Sequence, residues 1–247
     1  MLNLPKLIGH RGVKNLSPEN TIESISLAQQ LGLKWVEIDV KISKDLTPIL
    51  LHDDTLERTT DAKGSPMEFE YNKIRKFDAG SFFYNHATKI YIPSLEETLL
   101  FCKLNNICLN IELKPNLGFE KKNVIAIAKL LKSFNFTNQY YFSSFDWDSL
   151  ILMKEILPNA NYGILIDNFT DDISLDNIIA MANKYNFFFF FFNKNIINSD
   201  SVENALKNNL GITIYSEKNL KVNEANELWS MGIKSIFTDD PTDFKII

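Results

Sequence analysis

Short apolar runs of four to eight residues alternate along the chain with longer stretches in which apolar positions recur every three or four residues. The first kind of run fits a buried β-strand and the second an amphipathic helix. Eight runs read as strands: Lys6–His10, Trp35–Ile42, Ile107–Lys114, Tyr140–Ser144, Tyr162–Ile166, Phe187–Phe192, Gly211–Tyr215 and Ser235–Thr238. Between them, Ser17 followed by Pro18 and Glu19 predicts a capped helix start, and Ser94 with Glu97 predicts a capping box. Further helices are expected after Gly118, Asp146, Asp171, Asp200 and Val222. Eight strands alternating with helices in 247 residues predict an α/β fold, a single (β/α)8 TIM barrel spanning residues 1–247, in preference to a doubly wound sheet with a second domain.

Thr47–His52 is an additional strand-like run, and a polar stretch follows it to about Ile92. It predicts a small insertion after the second strand, at about residues 53–92, on the face where barrel enzymes build their sites. The six consecutive phenylalanines, Phe187 to Phe192, fit a barrel strand, which is covered on both faces and so reads as unbroken apolar sequence.

Composition narrows the partners. Hydrophobic residues make up 45% of the chain, enough for a sizeable core, and 26 basic against 31 acidic residues give a net charge of −5. This balance disfavours broad binding to nucleic-acid phosphates. The phenylalanine run is far short of the ~20 residues of a spanning helix, so no stable membrane insertion is expected. Cys102 and Cys108 lack metal-type spacing and predict reduced thiols, and the N-terminal residues do not read as a secretory leader; both point to the cytoplasm.

Polar residues within the predicted strands carry the chemistry. In Trp35–Ile42, Val36, Ile38, Val40 and Ile42 alternate with Glu37, Asp39 and Lys41, so the two acids share a face. A barrel's outer face is covered by helices, which directs these acids inward. Ile107–Lys114 repeats the pattern with Asn110, Glu112 and Lys114. Three carboxylates crowded at one mouth repel one another unless neutralised, and an all-oxygen set suits Mg²⁺ or Ca²⁺ better than zinc. His10 and His52 end strand-like runs, where a pair of imidazoles can act as acid and base near neutral pH. Arg11 and Lys114 supply cations suited to a phosphate. His86 lies in the insertion and reads as a surface residue. The chain has no phosphate-binding GxxxxGK[ST] loop, GxSxG elbow or GxGxxG turn after a strand.

In order, GHRG (9–12), PENT (18–21), EID (37–39), HDDTLERTT (52–60), PSLEETL (93–99), IELK (111–114), SSF (143–145) and GIKSIFTDDP (232–241) resemble the glycerophosphodiester phosphodiesterases over nearly the whole chain. The resemblance implies a metal-dependent (β/α)8 hydrolase cleaving small-molecule glycerophosphodiesters into glycerol 3-phosphate and an alcohol. It implies His10 and His52 as the acid/base pair and Glu37, Asp39 and Glu112 as ligands of one divalent cation. Arg11 and Lys114 would hold the phosphate, with Glu19, Asn20 and Asp53 in support.

Two stretches depart from the family pattern. Ser43 and Leu46 stand where threonine and glycine are usual, which alters a turn, and Tyr215-Ser216-Glu217-Lys218 replaces the usual Trp-Thr-Val-Asn. Tyr215 is therefore expected to keep a substrate contact with altered preference. Two rival readings are a phospholipase acting on membrane lipid, of the lysophospholipase D or phosphoinositide type, and a non-catalytic phosphodiester-binding barrel. The first would need an exposed apolar rim or a basic face; Phe77, Phe82, Phe83 and Tyr84 are candidates for the rim, in an insertion of mixed charge.

Overall fold

A computed structural model describes residues 4–170 and 173–244. Eight parallel strands close on themselves: β1 (Leu7–Gly9), β2 (Trp35–Ile42), β4 (Cys108–Leu113), β5 (Tyr140–Ser144), β6 (Asn161–Ile166), β7 (Phe189–Asn193), β8 (Gly211–Tyr215) and β9 (Ser235–Thr238). Between β2 and β4, β3 (Pro48–Leu50) pairs antiparallel with β2. The barrel closes where Gly9 of β1 meets Val36 of β2. Seven connecting helices cover the outside: α1 (Ile22–Gln30), α4 (Leu95–Leu104), α5 (Glu120–Ser133), α6 (Trp147–Ile156), α7 (Leu175–Tyr185), α8 (Ser199–Lys207) and α9 (Val222–Ser230). The fold is the expected TIM barrel.

Two layers of apolar side chains follow from the period of two along each strand. Outward residues such as Ile38, Ile111, Phe190, Phe192 and Ile212 pack against the helices. Inward residues fill the barrel with rings: Tyr141 and Phe191 stack at 5.4 Å between centroids, and Phe191 and Phe237 at 5.9 Å. Gly163 makes room for this plug, because a Cβ there would lie 1.9 Å from the Phe191 ring. The phenylalanine run is thus a barrel strand, displaced toward the C-terminus: β7 starts at Phe189 and takes in Asn193, while Phe188 is partly exposed.

Helix starts agree in part. The Ser94 capping box forms, with Ser94 Oγ accepting from the Glu97 amide at 3.1 Å and Glu97 Oε2 accepting from the Ser94 amide at 2.9 Å. Asp171 lies outside the described residues; α7 is capped by Ser174. Ser17 caps nothing: α1 begins at Ile22 with Thr21 as its cap. Residues 11–20 instead fold back over the end of β1, with the Asn20 amide donating to the Arg11 carbonyl at 3.0 Å and Asn20 itself left-handed at φ 56°.

The predicted strand Thr47–His52 shortens to β3, and the segment after it holds two one-turn helices, α2 (Tyr71–Ile74) and α3 (Ser81–Tyr84). This insertion has its own small core of Ile49, Leu51, Leu56, Ile74, Ala79 and Ile92. Its loops are tied by Asp78, which accepts from the amides of Gly80 and Ser81 at 2.9 Å and from Thr88. Among the described residues, no helix is long and apolar enough to cross a membrane.

Candidate active site

At the C-terminal end of the barrel the strands deliver their inward polar residues to one cavity of about 330 Å³. Register brings the acids together. Asp39 of β2 lies opposite Glu112 of β4, and Glu37 opposite Asn110, so the three carboxylates Glu37, Asp39 and Glu112 each offer an oxygen within 4.8 Å of the others. All three are buried. Burial raises the Glu37 pKa well above the usual carboxylate range, and the neighbouring charges of Asp39 and Glu112 raise it further. Glu112 is raised by burial and by Asp39, against the pull of Lys114. Asp39 moves the other way: burial is outweighed by Arg11, Lys114, His52 and a hydrogen bond from Asn20, which hold it ionised.

The turn after β1 shapes the other half of the cluster. Gly12 has φ 86° and lies so close to α1 that a Cβ would meet Ser24 Oγ at 2.3 Å, so only glycine fits. Arg11 there is left-handed at φ 50°, and its amide donates to Glu37 Oε2 at 2.9 Å. Its guanidinium donates to Glu19 Oε1 at 2.8 Å and lies 3.1 Å from Asp39 Oδ2. Asn20 grips Asp39 twice, donating from Nδ2 at 2.8 Å and accepting the Asp39 amide on Oδ1 at 3.1 Å. Lys114 Nζ lies 3.0 Å from Glu112 and 3.5 Å from Asp39. Arg11 and Lys114 therefore sit among the acids, at the edge of the cavity.

Both histidines line the cavity, each held at Nδ1 by a carboxylate: His10 by Asp239 at 2.7 Å and His52 by Asp53 at 2.6 Å. A carboxylate at Nδ1 requires the proton there, leaving Nε2 of the neutral ring as a base. Burial lowers the pKa of His10, with Arg11 and Lys14 adding to the effect, and burial lowers His52, with Arg11 and Lys114 adding. His86 is exposed in the insertion, away from this group, as expected.

Several members are not evident from the sequence pattern. Arg58 forks onto Asp53 and onto both oxygens of Glu19, the latter at 2.7 Å. Burial opposes this grip, but Arg58 and His52 bring the Asp53 pKa down to about 2. Lys14 approaches Asp239 at 3.4 Å. Asp167 and Asn193 line the far wall beside Tyr215, whose hydroxyl donates to Asp167 Oδ1 at 3.0 Å and to the Ile166 carbonyl at 3.1 Å. An acid immediately after a strand, as Asp167 and Asp239 are, was the available signal.

The donor set fits a hard divalent cation. Three buried carboxylates converge, and Glu37 Oε1 is buried without a hydrogen-bond partner, the arrangement an oxygen-ligated ion satisfies.

Comparison with known proteins agrees with this geometry. A Caldanaerobacter subterraneus protein named glycerophosphodiester phosphodiesterase is 30% identical over 95% of this chain and 94% of its own length. A Bacillus altitudinis protein of the same name is 29% identical over 96% of each. An Oleispira antarctica phosphodiesterase, solved in complex with the product sn-glycerol-3-phosphate, superposes with a TM-score of 0.87 at 28% identity, covering 96% of this chain and 93% of that one. The Glycerophosphoryl diester phosphodiesterase family matches residues 10–243. With the closed barrel, the acid cluster and the paired histidines in place, this chain is a member of the glycerophosphoryl diester phosphodiesterase family, whose members are phosphoric diester hydrolases.

Proposed function

We propose that the protein hydrolyses glycerophosphodiesters such as glycerophosphocholine and glycerophosphoethanolamine to glycerol 3-phosphate and the free alcohol, with a divalent cation, Mg²⁺ or Ca²⁺, as cofactor. The observation that carries this reading is the juxtaposition of two carboxylate-anchored histidines with a three-carboxylate cluster in one cavity. Glu37, Asp39 and Glu112 would hold the ion. When bound, it supplies positive charge to phosphate oxygens and lowers the pKa of an alcohol oxygen beside it.

Within that frame the chain's own residues divide the work. Arg11 and Lys114 attract the phosphate. One of His10 and His52 takes the proton from the glycerol hydroxyl next to the ester, and that oxygen attacks phosphorus. The other histidine gives a proton to the departing alcohol oxygen. Water then opens the resulting cyclic phosphate, and the histidines exchange roles. Glu19, Asn20 and Asp53 keep Arg11, Asp39 and His52 in place.

The test is release of glycerol 3-phosphate from both diesters by protein stripped with EDTA and then given Mg²⁺ or Ca²⁺. Metal-restored release is expected. No release with either ion, from folded protein that still binds it, would overturn the reading. A substrate lacking the neighbouring hydroxyl should resist cleavage; full-rate turnover would exclude internal attack.

A further inference from the structure

The cavity has two unlike walls. Its three cationic side chains, Arg11, Lys14 and Lys114, all lie on the side of β1 and β4, with the histidines and the acid cluster. The opposite wall, at the ends of β6, β7 and β8, presents Asp167, Asn193, Tyr215 and Glu217 and no lysine or arginine. Phe145, after β5, joins the two: its ring meets Tyr215 edge to face at 5.9 Å, and Lys114 Nζ lies 5.7 Å from its centroid.

The acidic wall continues outward. Phe145, Leu165 and Asp167 also line a neighbouring hollow of about 520 Å³, whose further lining includes Asp146, Trp147 and Asp148 and again no basic residue. Among the described residues, Asp167 is held by neutral donors: Tyr215 at 3.0 Å and Asn193 at 2.8 Å on Oδ1, and Asn168 at 3.0 Å on Oδ2. Neither Asp167 nor Glu217 has an ion-pair partner among the described residues. Fixed carboxylates beside aromatic faces attract a cation, leave a neutral group indifferent and repel an anion.

We propose that the wall formed by Phe145, Tyr215, Asp167 and Glu217 is the subsite for the leaving alcohol and selects alcohols that carry an ammonium group. The inference rests on the diesterase reading above, in which the glycerol hydroxyl lies toward the acid cluster and one histidine, and the departing oxygen meets the other histidine. The alcohol across the phosphorus then projects toward the far wall. Tyr215 acts on this selection through Asp167, which its hydroxyl positions.

The experiment compares kcat/KM for glycerophosphoethanolamine and glycerophosphocholine with that for glycerophosphoglycerol and glycerophosphoserine. In the native chain the ammonium esters should exceed the neutral glycerol ester roughly tenfold, with the serine ester below the ethanolamine ester. Asp167→Asn and Glu217→Gln, both at exposed positions, should each cut that ratio several-fold, and added salt should do the same. A ratio near one in the native chain, or a ratio unmoved by both substitutions, would overturn the inference while leaving the diesterase reading intact. Cleavage of none of the four esters would instead overturn the reading on which it rests.

Discussion

Arg58 forks onto Asp53, donating from Nε to Oδ2 at 2.5 Å and from its terminal nitrogen to Oδ1 at 3.0 Å, and the same Oδ1 faces Nδ1 of His52 at 2.6 Å. The guanidinium also holds Glu19, which in turn holds Arg11. One side chain therefore fixes both His52 and Arg11. Replacing Arg58 with Ala should lower kcat about tenfold to a hundredfold, the usual cost of removing a group that orients a reacting one. Lysine should restore little, because it cannot fork onto two oxygens. Binding of the divalent cation, followed by calorimetry, should be nearly unchanged; a kcat within twofold of native would show that the fork is ornamental.

With His52 as the base of the proposed pair, the acid side of the pH profile follows from it. Burial holds its pKa below the ordinary 6.5, and a base must be neutral to act, so kcat/KM should fall as pH drops through a value under 6.5. Asp53 raises His52 through its hydrogen bond. Asp53→Asn keeps an acceptor at Nδ1 but removes the charge, so this limb should move to lower pH. A move to higher pH would remove His52 from the role of base.

The acid cluster makes stability depend on metal and pH together. Glu37 has a raised pKa in the folded chain, so its contribution to stability is present below its ordinary 4.5 and is lost as pH rises through the folded value. A divalent cation held by the three carboxylates, as proposed, would offset that loss. At a hundredfold excess over Kd it should stabilise the chain by about 2.7 kcal/mol, read as a rise in Tm. Glu37→Gln should raise Tm without the ion, abolish the ion's effect and abolish turnover. An ion-induced Tm rise in that variant equal to native would show that the ion sits elsewhere.

Leu46 has a left-handed backbone, φ 61°, at the turn between β2 and β3, and is 41% exposed. A non-glycine residue there costs about 1–2 kcal/mol, partly offset by the greater freedom of glycine in the unfolded chain. Leu46→Gly should therefore stabilise by about 0.5–1 kcal/mol, seen as a higher urea midpoint, with turnover unchanged. A lower midpoint would mean that the leucine side chain makes up for its backbone.

The legibility of the site in sequence depended on how local each signal is. Glu37, Asp39 and Glu112 were readable because inward positions recur every second residue and the barrel removes the alternative of a wet outer face. The fold was readable from the same alternation. The partners were not: His10 and Asp239 are 229 positions apart, and no period connects them. Ser17 has the surroundings of a helix start in composition, but Asn20 turns the backbone left-handed and sends that stretch to Asp39. Phe187 and Phe188 precede β7 although they share its composition, because composition does not say where a ladder begins within a uniform run.

The ring-filled barrel has a consequence for traffic. Tyr141, Phe189, Phe191 and Phe237 close the axis beneath the acids, so nothing the size of a hydrated ion passes up from below. Whatever reaches Glu37, Asp39 and Glu112 enters by the mouth through which the diester enters and its two products depart. An ion bound there is shut in by any phosphate that lies over it, which makes exchange of the ion and turnover of the substrate compete for a single door.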